Sequence, residues 1–278
     1  SSLPVLSKDN TDRNRTSPFA FTGNKFEFRA VGSSQSISLP ATVLNTIVAE
    51  SLDVLAEKIK GKGENTKKAI MDVLREEIKV IKPILFMGDN YSGEWEKEAA
   101  RRGLPNKKTS PEAFKVLVTD KALKLIEKYK VLTGVELKSR YHVRLEKFCK
   151  MLDIEANTLL SMVNTQIIPA AIDYQGDLAS SIDETMEVMG DGFKMDGQKA
   201  LLGEIAGLLD KLIVMTRDLK KKCAHASGIE NEQSKAEYYS DEIKKYMISI
   251  REVSDELEDL MDDSIWTLPK YWEMLFIS

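Results

Sequence analysis

The sequence predicts a mainly α protein, with a short β segment near its beginning and a long-helix, bundle-like region after it. Residues 1–38 are rich in Ser, Asn, Thr, Gly and Arg, and they contain one run with period-two alternation. After residue 38, apolar residues recur at the spacing of one face of an amphipathic helix. The 278-residue chain is 42% hydrophobic, which is enough apolar material to bury a core.

The β segment is predicted from the run 25–29, which reads Lys-Phe-Glu-Phe-Arg. Polar and apolar residues alternate, so Lys25, Glu27 and Arg29 share one face of an extended chain and the two phenylalanines share the other. A run this short needs a neighbouring strand to satisfy its backbone hydrogen bonds. We therefore expect it to pair with another strand rather than to fold alone.

Two helices are predicted directly after this segment. The first carries an apolar stripe over 43–55 and ends at Gly61-Lys62-Gly63, because glycine suits the backbone just past a helix end. The second runs from about Thr66 to Ile81, where Pro83 stops it. The glycine pair at 61 and 63 is the first plausible domain boundary.

Further along the chain, one helix start and three long apolar faces are predicted. Ser110 is expected to cap a helix with its hydroxyl, with Pro111 in the first helical position. Lys, Glu and Asp fill the positions between the apolar residues, as in helices of an antiparallel bundle. The three faces are Leu145, Phe148, Leu152, Ala156, Leu159 and Val163; Leu201, Ile205, Leu208 and Leu212; and Ile243, Tyr246, Ile250, Val253, Leu257 and Leu260.

Charge and composition exclude several classes of protein. The chain has 40 basic and 44 acidic residues, a formal charge of -4, so it has no overall attraction to nucleic acid or to an anionic membrane. No apolar run approaches the about 18 residues that a membrane span needs. We expect a soluble cytoplasmic protein with no nucleic-acid or membrane partner. The opening Ser1-Ser2-Leu3, without methionine, favours a fragment.

The two cysteines, Cys149 and Cys223, lack the CxxC spacing of a zinc or redox site. They are predicted to be reduced thiols in or near a core. A disulfide between them is the unsupported alternative.

Chemistry-bearing residues concentrate in the segment 12–29. It contains Arg13, Arg15, Lys25, Glu27 and Arg29. Arginine offers a rigid fork of donors for phosphate or carboxylate groups, and a carboxylate beside such cations can hold a divalent metal together with substrate phosphates. Residue types alone leave two interpretations open: a nucleotide and metal edge, or an exposed strand with a ladder of mutually neutralising charges.

The residue pattern of this segment resembles that of a known family. Asn14-Arg15-Thr16-Ser17-Pro18, then Lys25-Phe26-Glu27-Phe28-Arg29, then a long apolar helix resemble the last part of the glutamine synthetase catalytic domain, and specifically its type III branch. The catalytic match covers about residues 3–60. The resemblance implies that residues 1–62 are the C-terminal end of that catalytic domain and that residues 63–278 are a helical, type III-specific C-terminal region.

The resemblance also implies roles for four residues. Arg15 and Arg29 stand where the family has catalytic arginines, the first facing the nucleotide phosphates and the second facing the transferred phosphate. Glu27 stands where it has a metal ligand, and Lys25 lies near its nucleotide-binding edge. The implied cofactors are ATP and Mg²⁺, with Mn²⁺ as an alternative. One departure is that the family's common form has a further arginine where this chain has Ala20.

By this resemblance, the parent protein is an ATP-dependent glutamate–ammonia ligase. It forms glutamine from glutamate and ammonia through an acyl-phosphate intermediate, in a homo-oligomer that the family implies is a dodecamer. Most of the family's metal ligands lie upstream of the matched segment, so the chain alone is expected to be inactive.

A second hypothesis assigns the chain a different role. Here the helical region is an oligomerisation or interaction module without its own catalysis. The three apolar faces and the apolar tail after Leu268 motivate it.

Overall fold

The chain divides into two compact units in the computed structural model. The structure describes residues 19–21, 26–28, 35–63, 66–84, 93–190 and 192–275. The first unit comprises the chain up to Lys108 together with Asp120–Thr133, and the second comprises Thr109–Thr119 together with the chain from Gly134 onward. The two units are defined by packing, whereas the predicted boundary after residue 62 separates a catalytic part from a helical extension by family origin. That boundary stays a prediction.

The first unit begins with two three-residue strands. Strand β1, Phe19–Phe21, pairs antiparallel with β2, Phe26–Phe28. The predicted fold class, mainly α, is confirmed. The predicted short β segment from the end of a catalytic domain is not confirmed. Within the described residues these strands pair only with each other, and an isolated two-stranded hairpin of this length is marginal because most of its backbone groups lack ladder partners.

Four helices complete the described part of the first unit. Helix α1 ends at Gly61, as the glycines predicted. A 3₁₀ turn containing Pro83 follows α2, as the proline predicted. Gly63 has a φ of +100°, a backbone conformation that favours glycine. The helices are α1, Ser38–Gly61; α2, Thr66–Ile81; α3, Gly93–Arg101; and α5, Asp120–Lys128.

Helices α1 and α2 contact each other mainly through a charged rim. Lys58 pairs with Glu77, and the Lys62 ammonium lies 2.7 Å from a carboxylate oxygen of Glu76. Burial between them is slight, because Thr46 is the one described residue of α1 that is buried. Exposed pairs of this kind stabilise a fold by at most about 1 kcal/mol each. Among the described residues of its helices, the buried apolar side chains are Ala69, Val73, Ala99 and Ile126, so this part of the first unit buries few apolar groups.

Helix α1 corrects the expectation that no segment is long and apolar enough to span a membrane. Its 24 residues include a window with a mean hydropathy of 1.3, which meets that criterion by length and composition. The same test is passed by core helices of soluble proteins, so it is weak evidence for a membrane span. Only 6% of the window is buried, and the apolar face of α1 is therefore open within the described chain.

The second unit is a packed assembly of long helices. The three predicted long faces lie on α6, α8 and α10, which confirms those helices. Its helices are α4, Ser110–Lys115; α6, Gly134–Met162; α7, Ile168–Met189; α8, Asp196–Ser227; α9, Glu232–Tyr238; α10, Lys244–Leu260; and α11, Tyr271–Leu275. Helix α4 starts at Ser110, one residue earlier than predicted, and Thr109 rather than Ser110 caps it: the Thr109 hydroxyl accepts the N–H of Glu112 at 3.4 Å.

Two π-helical turns join helices of this unit without a break in the helical path. Val163–Ile167 connects α6 to α7, and Tyr239–Ile243 connects α9 to α10. Pro169 stands in the first turn of α7 and lacks the N–H that would close an ordinary helical turn. The wider turn before it accommodates this missing donor. Periodicity at helical spacing did not predict either turn.

The core of the second unit lies between α6, α8 and α10. Residues with zero or almost zero exposure come from all three helices and from both π turns. A fully buried aliphatic side chain stabilises a fold by about 1.5–3 kcal/mol, so this set dominates the stability of the unit. The largest of these residues are Leu145, Val163, Ile205, Leu212, Leu219, Ile243, Ile250, Val253 and Leu257.

The core assignment predicts different costs for two substitutions on α8. Leu212→Ala should lower the free energy of unfolding by about 2–5 kcal/mol, because it leaves a cavity at a site with no exposure. Val214→Ala, at a position that is 48% exposed, should change it by about 0.5 kcal/mol or less. Urea unfolding followed by circular dichroism measures both. Equal costs at the two positions would contradict this core.

Candidate functional site

The structure describes only part of the predicted ligase segment. Arg15, Lys25 and Arg29 lie outside the described residues. Glu27 lies in β2, where its backbone is opposite Ala20 of β1. The register thus brings the predicted metal-ligand position beside the position where the resembled family carries its further arginine. The roles of Arg15, Lys25, Glu27 and Arg29 stay predictions.

A polar clamp lies in the first unit between α1 and α5. The Tyr129 hydroxyl is 2.8 Å from Oε2 of Glu50 and 2.7 Å from Oδ2 of Asp53, and the Lys128 ammonium is 2.5 Å from the same Glu50 oxygen. Glu50 and Asp53 are three residues apart, so they share one face of α1. These four residues are called the α1–α5 clamp below.

The electrostatics of the α1–α5 clamp favour a fixed structural role. Hydrogen bonds from Lys128 and then Tyr129 lower the pKa of the Glu50 carboxyl. Hydrogen bonding to Asp53, followed by burial, raises the pKa of the Tyr129 phenol. Glu50 is therefore ionised and Tyr129 is protonated at neutral pH. Because the carboxylates are engaged by a phenol and an ammonium, the clamp holds α5 on α1 rather than offering a free base.

The spacing of Glu50 and Asp53 could have indicated a polar face on α1. Nothing in the sequence indicates which residues meet it, because Lys128 and Tyr129 follow more than seventy positions later. Sequence reasoning therefore missed the clamp. Among the side chains that the structure describes, no group of three His, Cys, Asp or Glu residues is placed to hold a metal ion.

The two cysteines of the second unit lie near a buried phenol. Cys149 and Cys223 are free and buried, as predicted for reduced thiols. The hydroxyl of Tyr239, in the second π turn, donates to Oδ1 of Asp153 at 3.0 Å. Burial raises the pKa of Cys149 to about 11 and also raises the pKa of Cys223. Thiols in this state stay protonated and are poor nucleophiles, so this cluster belongs to the core rather than to a reactive site.

Comparison with known proteins shows which family the chain is similar to. The model of the glutamine synthetase C-terminal domain matches residues 69–186, which include helices of both units. Proteins named as glutamine synthetases align with 98–99% of the chain. Along nearly its whole length the chain is therefore similar to proteins of the glutamine synthetase family.

The relatives also confirm the resemblance to the type III branch. The type-3 glutamine synthetase of Dictyostelium discoideum is 39% identical over 99% of the chain. The glutamine synthetases of Bacteroides fragilis and Butyrivibrio fibrisolvens are 36% and 33% identical over 99% and 98% of it. The chain spans 38–39% of the length of these three relatives.

The protonated state of Cys149 predicts a stability loss at alkaline pH. Its pKa is about 11 in the fold against an ordinary value of 9.0, so the fold holds this proton more tightly than the unfolded chain does. The resulting stabilisation is complete below pH 9 and is lost as the pH rises through 11.

Urea unfolding midpoints measured between pH 8 and pH 11 test this expectation. The midpoint of the native chain should fall more steeply across this range than that of Cys149→Ala, which has no thiol to ionise. The Cys149→Ala midpoint should be lower at pH 8 because of the lost packing, and the comparison concerns the slopes alone. Parallel slopes for the two chains would contradict the assignment.

Proposed function

We propose that the longer protein containing this chain is an ATP-dependent glutamate–ammonia ligase. The observation that carries the proposal is an identity of 33–39% to proteins named as glutamine synthetases over nearly the whole chain. The segment 12–29 is consistent with it, because its arginines and its carboxylate are residue types that phosphoryl transfer uses. Glutamate and ammonia are then the substrates, and ATP is the phosphoryl donor.

The proposed reaction has two steps. An oxygen of the glutamate side-chain carboxylate bonds to the terminal phosphorus of ATP, and ADP leaves. Ammonia then attacks the acyl carbon, loses a proton, and displaces inorganic phosphate to give glutamine. Both steps concentrate negative charge on phosphate oxygens, so catalysis depends on positioning and on cationic groups.

In this proposal, the four residues of the segment divide that task. Arg15 and Arg29 donate to phosphate oxygens through guanidinium forks. Lys25 adds charge at the nucleotide edge. Glu27 supplies a carboxylate oxygen of the kind that Mg²⁺ or Mn²⁺ prefers, and such a metal would supply positive charge that offsets the negative charge of the phosphates. Position 27 faces Ala20 in the strand register, so the neighbouring strand brings no arginine at that point.

The chain alone is proposed to be inactive. The segment supplies one wall of a site whose other ligands the resemblance places upstream, and the chain spans 38–39% of the length of its relatives. The longer protein is proposed to be a cytoplasmic homo-oligomer, a dodecamer by family resemblance. Neither proposal follows from the contacts of the described residues.

The open surface of the first unit favours a second candidate role for the chain, as a docking module. On α1, Ile47, Val48 and Leu52 are 45%, 41% and 60% exposed, and on α2, Ile78 and Val80 are 55% and 70% exposed. Exposed apolar side chains that cluster on one helix, such as Ile47, Val48 and Leu52, favour an interface. We assign the remainder of the longer protein as its occupant, because the relatives contain more than half of their length outside the aligned part.

The proposal predicts how Glu27→Gln should act in the longer protein. Loss of the carboxylate charge should lower kcat for glutamine formation by on the order of 10²–10³-fold, the scale of removing one group that stabilises the transition state. Raising the Mg²⁺ concentration should recover part of the loss. The matched control is Glu256→Gln, an exposed residue of α10 in the second unit, which should keep full activity.

The same assay on the 278-residue chain alone should give no glutamine above the background without enzyme. Ammonia-dependent release of phosphate and production of glutamine are measured together, so that an ATPase reaction is not mistaken for synthesis. Unchanged activity of Glu27→Gln in the longer protein, or glutamine formed by the chain alone, would contradict the proposed division of the site.

A further inference from the structure

A pocket of about 480 Å³ lies in the second unit between α6 and α8. Its wall on the α6 side comes from one helical stripe that includes the first π turn, and its wall on the α8 side comes from one turn of that helix. Its size falls within the range of small-molecule sites. The pocket is open to solvent. Its lining consists of Leu160 and of six residues with polar side chains, all exposed except Thr216: Asn157, Ser161, Asn164, Thr216, Arg217 and Lys220.

The pocket contains two cations that no carboxylate neutralises. Within the described part of the chain, neither Arg217 nor Lys220 has a carboxylate oxygen within 4.0 Å. The next two lysines of α8 differ, because Lys221 lies 2.9 Å from Asp218 and Lys222 lies 2.8 Å from Glu242. The basic run 220–222 is thus divided by the fold: two lysines form surface ion pairs, and the third lines the pocket beside Arg217.

The opposite wall presents acceptors and a hydroxyl. The side-chain N–H groups of Asn157 and Asn164 donate to the backbone carbonyls of Asp153 and Leu160, at 2.8 and 2.7 Å. Each amide oxygen remains available as an acceptor, and Ser161 adds a hydroxyl that donates or accepts. Asn164 lies inside the π turn Val163–Ile167, a kind of turn that is frequent at functional sites.

We propose that this pocket binds a small phosphate ester whose body carries hydroxyl groups. Arg217 and Lys220 match the phosphate oxygens through charge-assisted hydrogen bonds. The amide oxygens of Asn157 and Asn164 accept from the ligand's hydroxyls. A free phosphate ion would use only the cationic wall and leave most of the volume to water, so the organic part contributes to binding.

This site is independent of the proposed ligase segment. Every residue that lines the pocket belongs to the second unit, and none of Arg15, Lys25, Glu27 and Arg29 does. A failure of the pocket proposal therefore leaves the ligase assignment intact, and the converse also holds.

The test is a titration of the 278-residue chain at constant ionic strength, using ribose 5-phosphate, inorganic phosphate and ribose as probes. Amide shifts of 157–164 and 216–220, followed by NMR, report local binding. Ribose 5-phosphate should bind with a dissociation constant of about 1 mM or tighter, inorganic phosphate should bind at least about tenfold more weakly, and ribose should give no saturable shift.

Two variants separate this site from general attraction to a basic helix. Arg217→Gln combined with Lys220→Gln should weaken binding of ribose 5-phosphate by at least about tenfold, whereas Lys221→Gln, which removes one charge from a paired lysine of the same basic run, should leave it unchanged. Thermal unfolding checks that both variants fold. The proposal is overturned if ribose 5-phosphate gives no saturable shift, if inorganic phosphate binds equally well, or if Lys221→Gln weakens binding as much as the double variant.

Discussion

Burial of apolar helix faces is the constraint on which the rest of this structure depends. In the second unit, α6, α8 and α10 bury their apolar faces against one another: Leu145, Leu212 and Ile250 have no exposure. In the first unit, α1 is at least as apolar as α6, α8 and α10, yet only 6% of its most apolar window is buried. A helix whose side chains favour removal from water by about 25 cal/mol per Å² needs a surface to pack on. The described chain does not supply that surface for α1.

The polar contacts follow from this difference between the units. In the core of the second unit, Asp153 satisfies the Tyr239 hydroxyl, and the thiols nearby stay protonated. Where the core is sparse, charged groups at the helix edges hold the elements together, as in the α1–α5 clamp and in the pair Lys62–Glu76. Such contacts fix the relative positions of the elements more than they stabilise the fold. The first unit is therefore organised, with its main apolar surface still open.

Much of the helical architecture could be predicted from local signals. Gly61, Gly63 and Pro83 fix where α1 and α2 end, because their backbone preferences act without help from the rest of the fold. The π turns could not be predicted, since they preserve helical spacing and depend on packing around residues such as Ile243. The cap of α4 was assigned one residue too late, because Thr109 and Ser110 carry equivalent hydroxyls.

The candidate sites also show that local sequence signals do not predict contacts between elements. Period-two alternation identified Glu27 and its neighbours as a chemical face, but only family resemblance gave that face a reaction. The pairing of Glu50 with Lys128, and the separation of Lys220 from Lys221, depend on which helices meet. Spacing within one helix predicts a shared face. It carries no information about the partner across the interface.

The central claim is that α1 packs against the remainder of the longer protein that is proposed to be a ligase. Hydrogen–deuterium exchange on the 278-residue chain and on the longer protein tests it most directly, with the amides of α8 as the internal reference. We expect exchange over 43–55 of α1 to slow by at least about tenfold in the longer protein, while exchange over 205–219 of α8 stays within about twofold. Equal protection of α1 in the two proteins would contradict the account, because its apolar face would then have no partner in the ligase.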